Sequence, residues 1–273
     1  MGKVLVLGAS GLVGSALIHE WKDGYKLYGT YSSSSLSSLP FDHQFQLDVQ
    51  QIEKMKEMIQ VIKPDFVISC LRGDFDNQFR FHKELVKVLR NTSSRLYYFS
   101  TTNVFDGDFS RPHTETDTPI AESDYGKFKI KCENMLKEIL DEQVIIIRIP
   151  AIWGKTSPRL NLIKESIKEN KEIDVYSNLV CNNLSDALLA KQLRYIMEKE
   201  LKGTFHLSSM DMVTQEEFYR QIISGFSNEK NILQNHLYQD KAENFYFCLH
   251  SNREDIPASL RVTNKDIISY LLN

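Results

Sequence analysis

No apolar run in the sequence approaches the roughly 20 residues that a bilayer-spanning helix needs, so no membrane span is expected. The amino terminus, MGKVLVLGASG, turns apolar too early and too briefly for a secretory signal and runs straight into a glycine turn; a cytoplasmic protein is expected. Cysteine is scarce. The four residues Cys70, Cys132, Cys181 and Cys248 are far apart and show no C-x-x-C spacing. That excludes a disulfide scaffold and leaves reduced, mostly structural thiols. No His, Cys and carboxylate cluster has zinc-ligand spacing, so no metal is expected. An excess of positive charge is also missing. The net charge of −3 gives no general attraction to nucleic acid or to an anionic membrane. Internal repeats are absent, and the serine-rich stretch 32–38 is too short to link domains, so it is read as a loop.

The 273 residues suffice for one doubly wound core and a smaller lobe. In the first half, short apolar runs alternate with helical patterns. Strands are expected at Lys3–Leu7, Lys26–Thr30, Phe45–Leu47, Phe66–Ser69, Leu96–Ser100 and Val144–Arg148. Helices are expected at Leu12–Trp21, Gln51–Ile62 (ended by Lys63-Pro64), Asn77–Leu89 and Asp124–Leu140. Strand–helix alternation implies a parallel sheet, and the unbroken apolar run at 144–147 suits a strand covered on both faces. The fold class is thus α/β, a Rossmann-type doubly wound parallel sheet. After Pro150 the pattern loosens, leaving helices at Leu160–Glu169, Leu184–Lys199 and Gln215–Ile223 and a strand at Thr204–Leu207.

Gly8, Gly11 and Gly14 follow the first strand and open the first helix. The first permits a tight turn, the second a close approach of backbone to pyrophosphate, and the third close helix–sheet packing. The helix N-terminus then offers free N–H groups to an anion. This makes Gly8, Ser10, Gly11, Leu12, Val13 and Gly14 a candidate dinucleotide cradle. The second strand ends in Gly29-Thr30-Tyr31-Ser32 with no acid to grip a ribose 2′-hydroxyl. Hydroxyls of Thr30 and Ser32 can meet a 2′-phosphate, so NADP(H) is expected over NAD(H). Asp48, with Val49 beside it, reads either as an adenine contact or as a cap for the helix near Gln51. Cys70, Leu71 and Arg72 lie in the loop after the fourth strand and face the same cleft; Arg72 reads as a pyrophosphate or substrate contact, or as a solvated charge.

Tyr125 and Lys129 stand one helical turn apart on one face. A neighbouring ammonium favours the phenolate, which suits the phenol to proton transfer. Thr101, at a strand end, can hydrogen-bond a reacting carbonyl oxygen. His113, His206 and His250 show no partner pattern and are read as structural.

These motifs carry a resemblance. The spacing G-x-x-G-x-x-G is similar to that of the extended short-chain dehydrogenase/reductase superfamily. Ser100-Thr101-Thr102-Asn103-Val104-Phe105-Asp106-Gly107, the Tyr125-Gly126-Lys127 and Lys129-x-x-x-Glu133 pattern, Arg148 with Gly154, and Pro257-x-Ser259-Leu260-Arg261 resemble the dTDP-4-dehydrorhamnose reductase family, densely up to residue 154 and thinly beyond. The resemblance implies hydride transfer from a nicotinamide to the C4 keto group of a nucleotide-activated sugar. Tyr125 is then the proton donor, Lys129 lowers its pKa and binds the nicotinamide ribose, and Thr101 holds the carbonyl oxygen. Asn103, Val104 and Phe105 are candidate substrate contacts beside Thr101. Trp153 and Arg159 stand where the substrate lobe begins; Trp153 reads as core packing ahead of stacking on a nucleobase, and Arg261 as a fork for a substrate diphosphate or as a plain surface charge. Residues 1–150 with about 181–207 are expected in the dinucleotide domain, and about 151–180 and 208–273 in the substrate lobe; a homodimer is expected by analogy. The family's Asp-Tyr is replaced by Thr102-Asn103, which argues against dehydratase chemistry. An epimerase, or a non-catalytic NADP-binding regulator similar to the methionine adenosyltransferase β subunit, are the alternatives.

Overall fold

The first strand, β1 (Lys3–Leu7), shows why the chain builds layers. Val4 and Val6 face one core, Leu5 and Leu7 the other, all fully buried. A strand apolar on both faces needs helices on both sides. The structure is a computed structural model and describes residues 2–227 and 232–273. After β1 come α1 (Leu12–Trp21), β2 (Lys26–Tyr31), β3 (Gln44–Gln46), α2 (Ile52–Ile62), β4 (Phe66–Ser69), α3 (Phe75–Leu89), β5 (Arg95–Thr101), α4 (Asp124–Leu140) and β6 (Val144–Ile149). The second half adds β7 (Ala151–Trp153), α5 (Pro158–Glu169), β8 (Ile173–Tyr176), β9 (Leu179–Cys181), β10 (Asn183–Ser185) and α6 (Asp186–Glu198). It ends with β11 (Gly203–His206), β12 (Val213–Thr214), α7 (Gln215–Phe226), β13 (Leu233–His236), β14 (Phe245–Phe247) and α8 (Asn264–Leu272).

The main sheet has seven strands in the order β11-β6-β5-β4-β1-β2-β3, and every neighbouring pair is parallel. Leu17 and Trp21 of α1 pack with Leu189 and Leu193 of α6 on one face. Met55 and Ile59 of α2, Phe81 and Leu85 of α3 and Leu136 of α4 fill the other. The chain proceeds from β1 to β2 on one side and returns to β4 on the other. The crevice at the carboxyl ends of β1 and β4 is therefore the switch point where ligands of such sheets bind. The β1–α1 turn and the loop after β4 both open there.

The lobe has its own core, with Trp153, Leu160, Ile163, Phe218, Ile222 and Ile267 at its centre. Its sheets are small: β10 beside β7, β12-β9-β14, and β13 beside β8. One stretch expected in the lobe departs from it: Ile256, Leu260 and Val262 pack into the first core, against the face that α6 covers. Among the described residues no helix is long and apolar enough to cross a membrane, and no group of three or more His, Cys, Asp or Glu could hold a metal ion.

Candidate active site

The glycine turn is built as its spacing requires. Gly8 has φ of +82°, a conformation that side chains rarely adopt. A Cβ on Gly14 would lie 2.4 Å from the Gly8 carbonyl oxygen and 2.6 Å from Ala9 Cα, so only glycine lets α1 approach so closely. Helices α3 to α8 are each capped by a side chain: Asp74, Ser123, Ser157, Ser185, Thr214 and Thr263 accept from a first-turn amide. Helix α1, with Gly11 at its N-cap position, and α2, with Gln51, have no side-chain cap. At α1 this leaves the first-turn N–H groups open beside the glycine turn, as an anion site requires.

Thr30 departs from expectation. Its hydroxyl accepts from Gly8 N at 2.9 Å, and the residue is 1% exposed. It braces the turn and does not face a 2′-phosphate; the exposed hydroxyls of Ser32 to Ser35 lie beyond it. Asp48 accepts from Gln50 N at 2.8 Å in the turn that leads into α2, while the N-cap position itself is Gln51. Val49 packs partly against the second core. The carbonyl of Cys70 closes on the glycine turn, within 3.1 Å of where a Gly8 Cβ would stand, with Leu71 next to it.

Across the crevice, β5 ends at Thr101, which is 9% exposed and donates its hydroxyl to Asn103 Oδ1 at 3.0 Å. Tyr125 stands in the first turn of α4 and is 40% exposed. The helix reaches Thr101 because Gly126 packs against the 102–105 turn, where a Cβ would be 2.2 Å from the Asn103 carbonyl. Asp106 anchors the same corner, accepting from the amides of Glu122 and Ser123 at 2.7 and 3.1 Å. Burial raises the Tyr125 phenol pKa; the Arg72 guanidinium and a hydrogen bond with Thr101 oppose that rise.

Lys129 is placed differently from the simple Tyr–Lys picture. It is 5% exposed, and its ammonium donates to the Phe99 carbonyl at 2.9 Å and to Tyr98 Oη at 3.2 Å. It sits 5.8 Å from the Tyr125 ring centre. Burial lowers its pKa to about 8. The cation opposing the rise of the Tyr125 pKa is Arg72, three residues before a second ring at the mouth. That ring, Phe75, lies 5.8 Å from Tyr125 and stacks on Phe128 at 4.8 Å. The helical spacing on α4 carries no trace of Phe75 or Tyr98, which belong to other elements.

Several candidate substrate contacts fall elsewhere. Val104 and Phe105 are buried with Leu249, because the turn after Thr101 directs its apolar side chains inward. Trp153 is 1% exposed at the lobe core and donates to Asn183 Oδ1 at 2.9 Å. Arg261 is exposed, but its guanidinium donates to the carbonyls of Ile256 and Arg253. Arg159 is exposed on the first turn of α5, and Asn103 remains half-buried beside Thr101. The histidines are structural in their contacts. His206 Nε2 accepts from Arg148, so its Nδ1–H faces the carbonyls of His113 and His250. His113 stacks on Phe105, and the exposed His250 donates its backbone amide to His113.

A parallel sheet with a glycine turn at its switch point and a Tyr-x-x-x-Lys helix beside a strand-end threonine defines the extended short-chain dehydrogenase/reductase class. Within it, the chain belongs to the RmlD substrate binding domain family, whose model matches residues 73–244. It is 20% identical over 255 residues to a probable low-salt glycan biosynthesis reductase of Haloferax volcanii, covering 86% of this chain and 84% of that protein. It is 25% identical over 254 residues to methionine adenosyltransferase 2 subunit beta of Danio rerio, covering 82% and 74%. The dTDP-4-dehydrorhamnose reductase of Bacillus anthracis, solved in complex with NADP, superposes with a TM-score of 0.83 at 20% identity, over 99% of this chain and 98% of that one; the two share the fold.

Proposed function

We propose that the protein reduces a keto group on a nucleotide-activated sugar, using NADPH in preference to NADH. The observation that carries this reading is the nearness of Tyr125 to Thr101, Arg72 and Lys129 at the carboxyl end of β5. The cradle fits a dinucleotide: Gly8 holds a φ that side chains rarely adopt, Gly14 leaves no room for a Cβ, and the first-turn amides of α1 have no side-chain cap. A reduced nicotinamide bound there supplies the hydride. Gly8 to Gly14 would hold its pyrophosphate, Arg72 a phosphate oxygen, and Ser32 the 2′-phosphate that no acid at the end of β2 repels.

The chain's own residues move and steer the proton. Tyr125 gives its phenolic proton to the sugar oxygen as charge develops there. Thr101 holds that oxygen in place. Lys129 keeps a positive charge beneath the site and has one N–H donor beyond the two engaged by Tyr98 and Phe99. Asn103, beside Thr101, and Arg159, on the lobe, would contact the substrate, and the lobe itself, about 151–180 with parts of 208–273, would close over the sugar nucleotide.

The test is NADPH oxidation with a set of 4-keto-6-deoxy sugar nucleotides. Tyr125→Phe is expected to lose at least about 100-fold in turnover while still binding NADPH by nicotinamide fluorescence. Binding without turnover on every keto sugar would favour the second reading, a nicotinamide-binding regulatory subunit, to which the likeness to a methionine adenosyltransferase subunit points.

A further inference from the structure

We infer that Tyr98 is a positioning residue that keeps Lys129 charged and aimed into the site. The inference rests on the reading of Lys129 as part of the reaction. Lys129 is surrounded by Tyr98, Phe128, Cys132 and Cys70, almost all of it out of water. An ammonium has three N–H donors and no acceptor, and an ammonium buried without acceptors gives up its proton. Here two acceptors reach it. One, the Phe99 carbonyl at 2.9 Å, is backbone and common to any sequence at this strand. The other, Tyr98 Oη at 3.2 Å, is a side chain chosen by the sequence.

The phenol is itself fixed. It lies on β5 with its ring edge against His82 at 5.1 Å, and its hydroxyl is near the Cys132 thiol, one turn along α4 from Lys129. His82 is locked in turn. Its Nδ1–H donates to the Gln78 carbonyl at 2.7 Å, so its Nε2 accepts from Ser69 Oγ at 2.7 Å. The oxygen of Tyr98 therefore cannot swing away, and the lysine ammonium lies 4.5 Å from the centre of the same ring, where the negative face of the π system favours a cation. Glu133, on the same helix, is forked to Arg148 and favours the ammonium only through its charge. The other charged or titratable groups around Lys129 are Arg72 and His82 on the α3 side and the thiols of Cys70 and Cys132; Tyr125 lies across from it on α4.

Tyr98→Phe keeps the ring and deletes the acceptor. The readout is the Lys129 side-chain 13Cε resonance, assigned with Lys129→Met and titrated in the ligand-free protein. Its midpoint is expected to fall by roughly 1 pH unit, from about 8 in the parent chain, as befits the loss of a hydrogen bond to a charged group. Reductase activity at pH 8 is then expected to fall about fivefold relative to that at pH 6, since the protonated fraction drops by that factor. Cys132→Ala frees the hydroxyl to turn; it moves the midpoint the same way by less, and serves if Tyr98→Phe does not fold. An unmoved midpoint in both variants overturns the inference, as does a loss of activity that is uniform across pH. A shifted midpoint with an unshifted activity profile upholds the coupling of Tyr98 to Lys129 and overturns the role of Lys129 in the reaction.

Discussion

Arg148 and Glu133 face each other as a two-bond fork inside the protein, Nε to Oε1 at 3.0 Å and Nη2 to Oε2 at 2.7 Å, with both side chains 2% exposed. The fork ties β6 to the middle of α4, the helix that carries Tyr125 and Lys129. The Arg148 pair lowers the Glu133 pKa against the opposing effect of its burial. Removing one partner leaves a buried charge alone, at about 3–5 kcal/mol. Glu133→Gln is therefore expected to lower the denaturant midpoint strongly, and Arg148→Met with Glu133→Leu together to recover most of the loss. A single variant as stable as the parent would contradict the fork's role.

Gly14 and Gly11 separate packing from binding. A Cβ at Gly14 meets backbone at 2.4 Å, whereas one at Gly11 meets the Gly8 carbonyl at 3.5 Å, an ordinary contact. Gly14→Ala is expected to lose stability by thermal melting. Gly11→Ala is expected to fold normally and to weaken NADPH binding by at least roughly tenfold, through its methyl group crowding the pyrophosphate. Equal melting temperatures for both would refute the packing half of the argument.

Arg72 lowers the pKa of both Tyr125 and Lys129. Arg72→Gln should raise both. Tyr125 must be protonated to donate, and Lys129 must be charged, so activity that fades at alkaline pH will persist to higher pH in the variant. The check is the pH profile of turnover at saturating NADPH. An unmoved alkaline limb with a raised NADPH dissociation constant would mean that Arg72 only binds phosphate.

His82 and His206 are kept neutral by burial, each with its pKa lowered to about 4. The unfolded chain takes up those protons near pH 6.5, so it binds more protons than the native state between the two values. Stability contributed by their neutrality is complete above about pH 6.5 and is lost as the pH falls towards about 4. Urea midpoints measured across that range should decline well before most carboxylates titrate. A flat midpoint down to about pH 5 would rule this out.

The main sheet was legible because its central strands are buried on both faces and read as plain apolar runs, from KVLVL at β1 to VIII in β6; the polar edge strands β3 and β11 are weaker signals. The glycine turn and the Tyr125–Lys129 pair were legible because their spacing is local. The lobe strands were not: β7 to β10 and β12 to β14 have two to four residues each, too few for an alternation to show. Helix α8 escaped notice although Thr263 and Asp266 form a capping box ahead of it, a signal that the mixed composition around Pro257 obscured. The burial of Val104 and Phe105 has another cause. Sequence order put them next to the reacting groups, but a turn sends successive side chains to opposite sides, and the large apolar ones went inward.

The return of residues 256–262 to the first core has a consequence for biosynthesis. Val262 accepts from Met210 N at 2.8 Å, the Leu260 carbonyl accepts from Gln192 Nε2 at 2.8 Å, and Ile256 packs into the layer over α1 and α6. That layer is sealed by chain made long after the strands it covers. A nascent polypeptide on the ribosome can pair its first strands early, yet the α6 side stays open to water until residues 256–262 have emerged. Deleting residues 256–262 should thus expose apolar surface on the main-sheet half, far from the cut in sequence, and make the altered chain a client of chaperones.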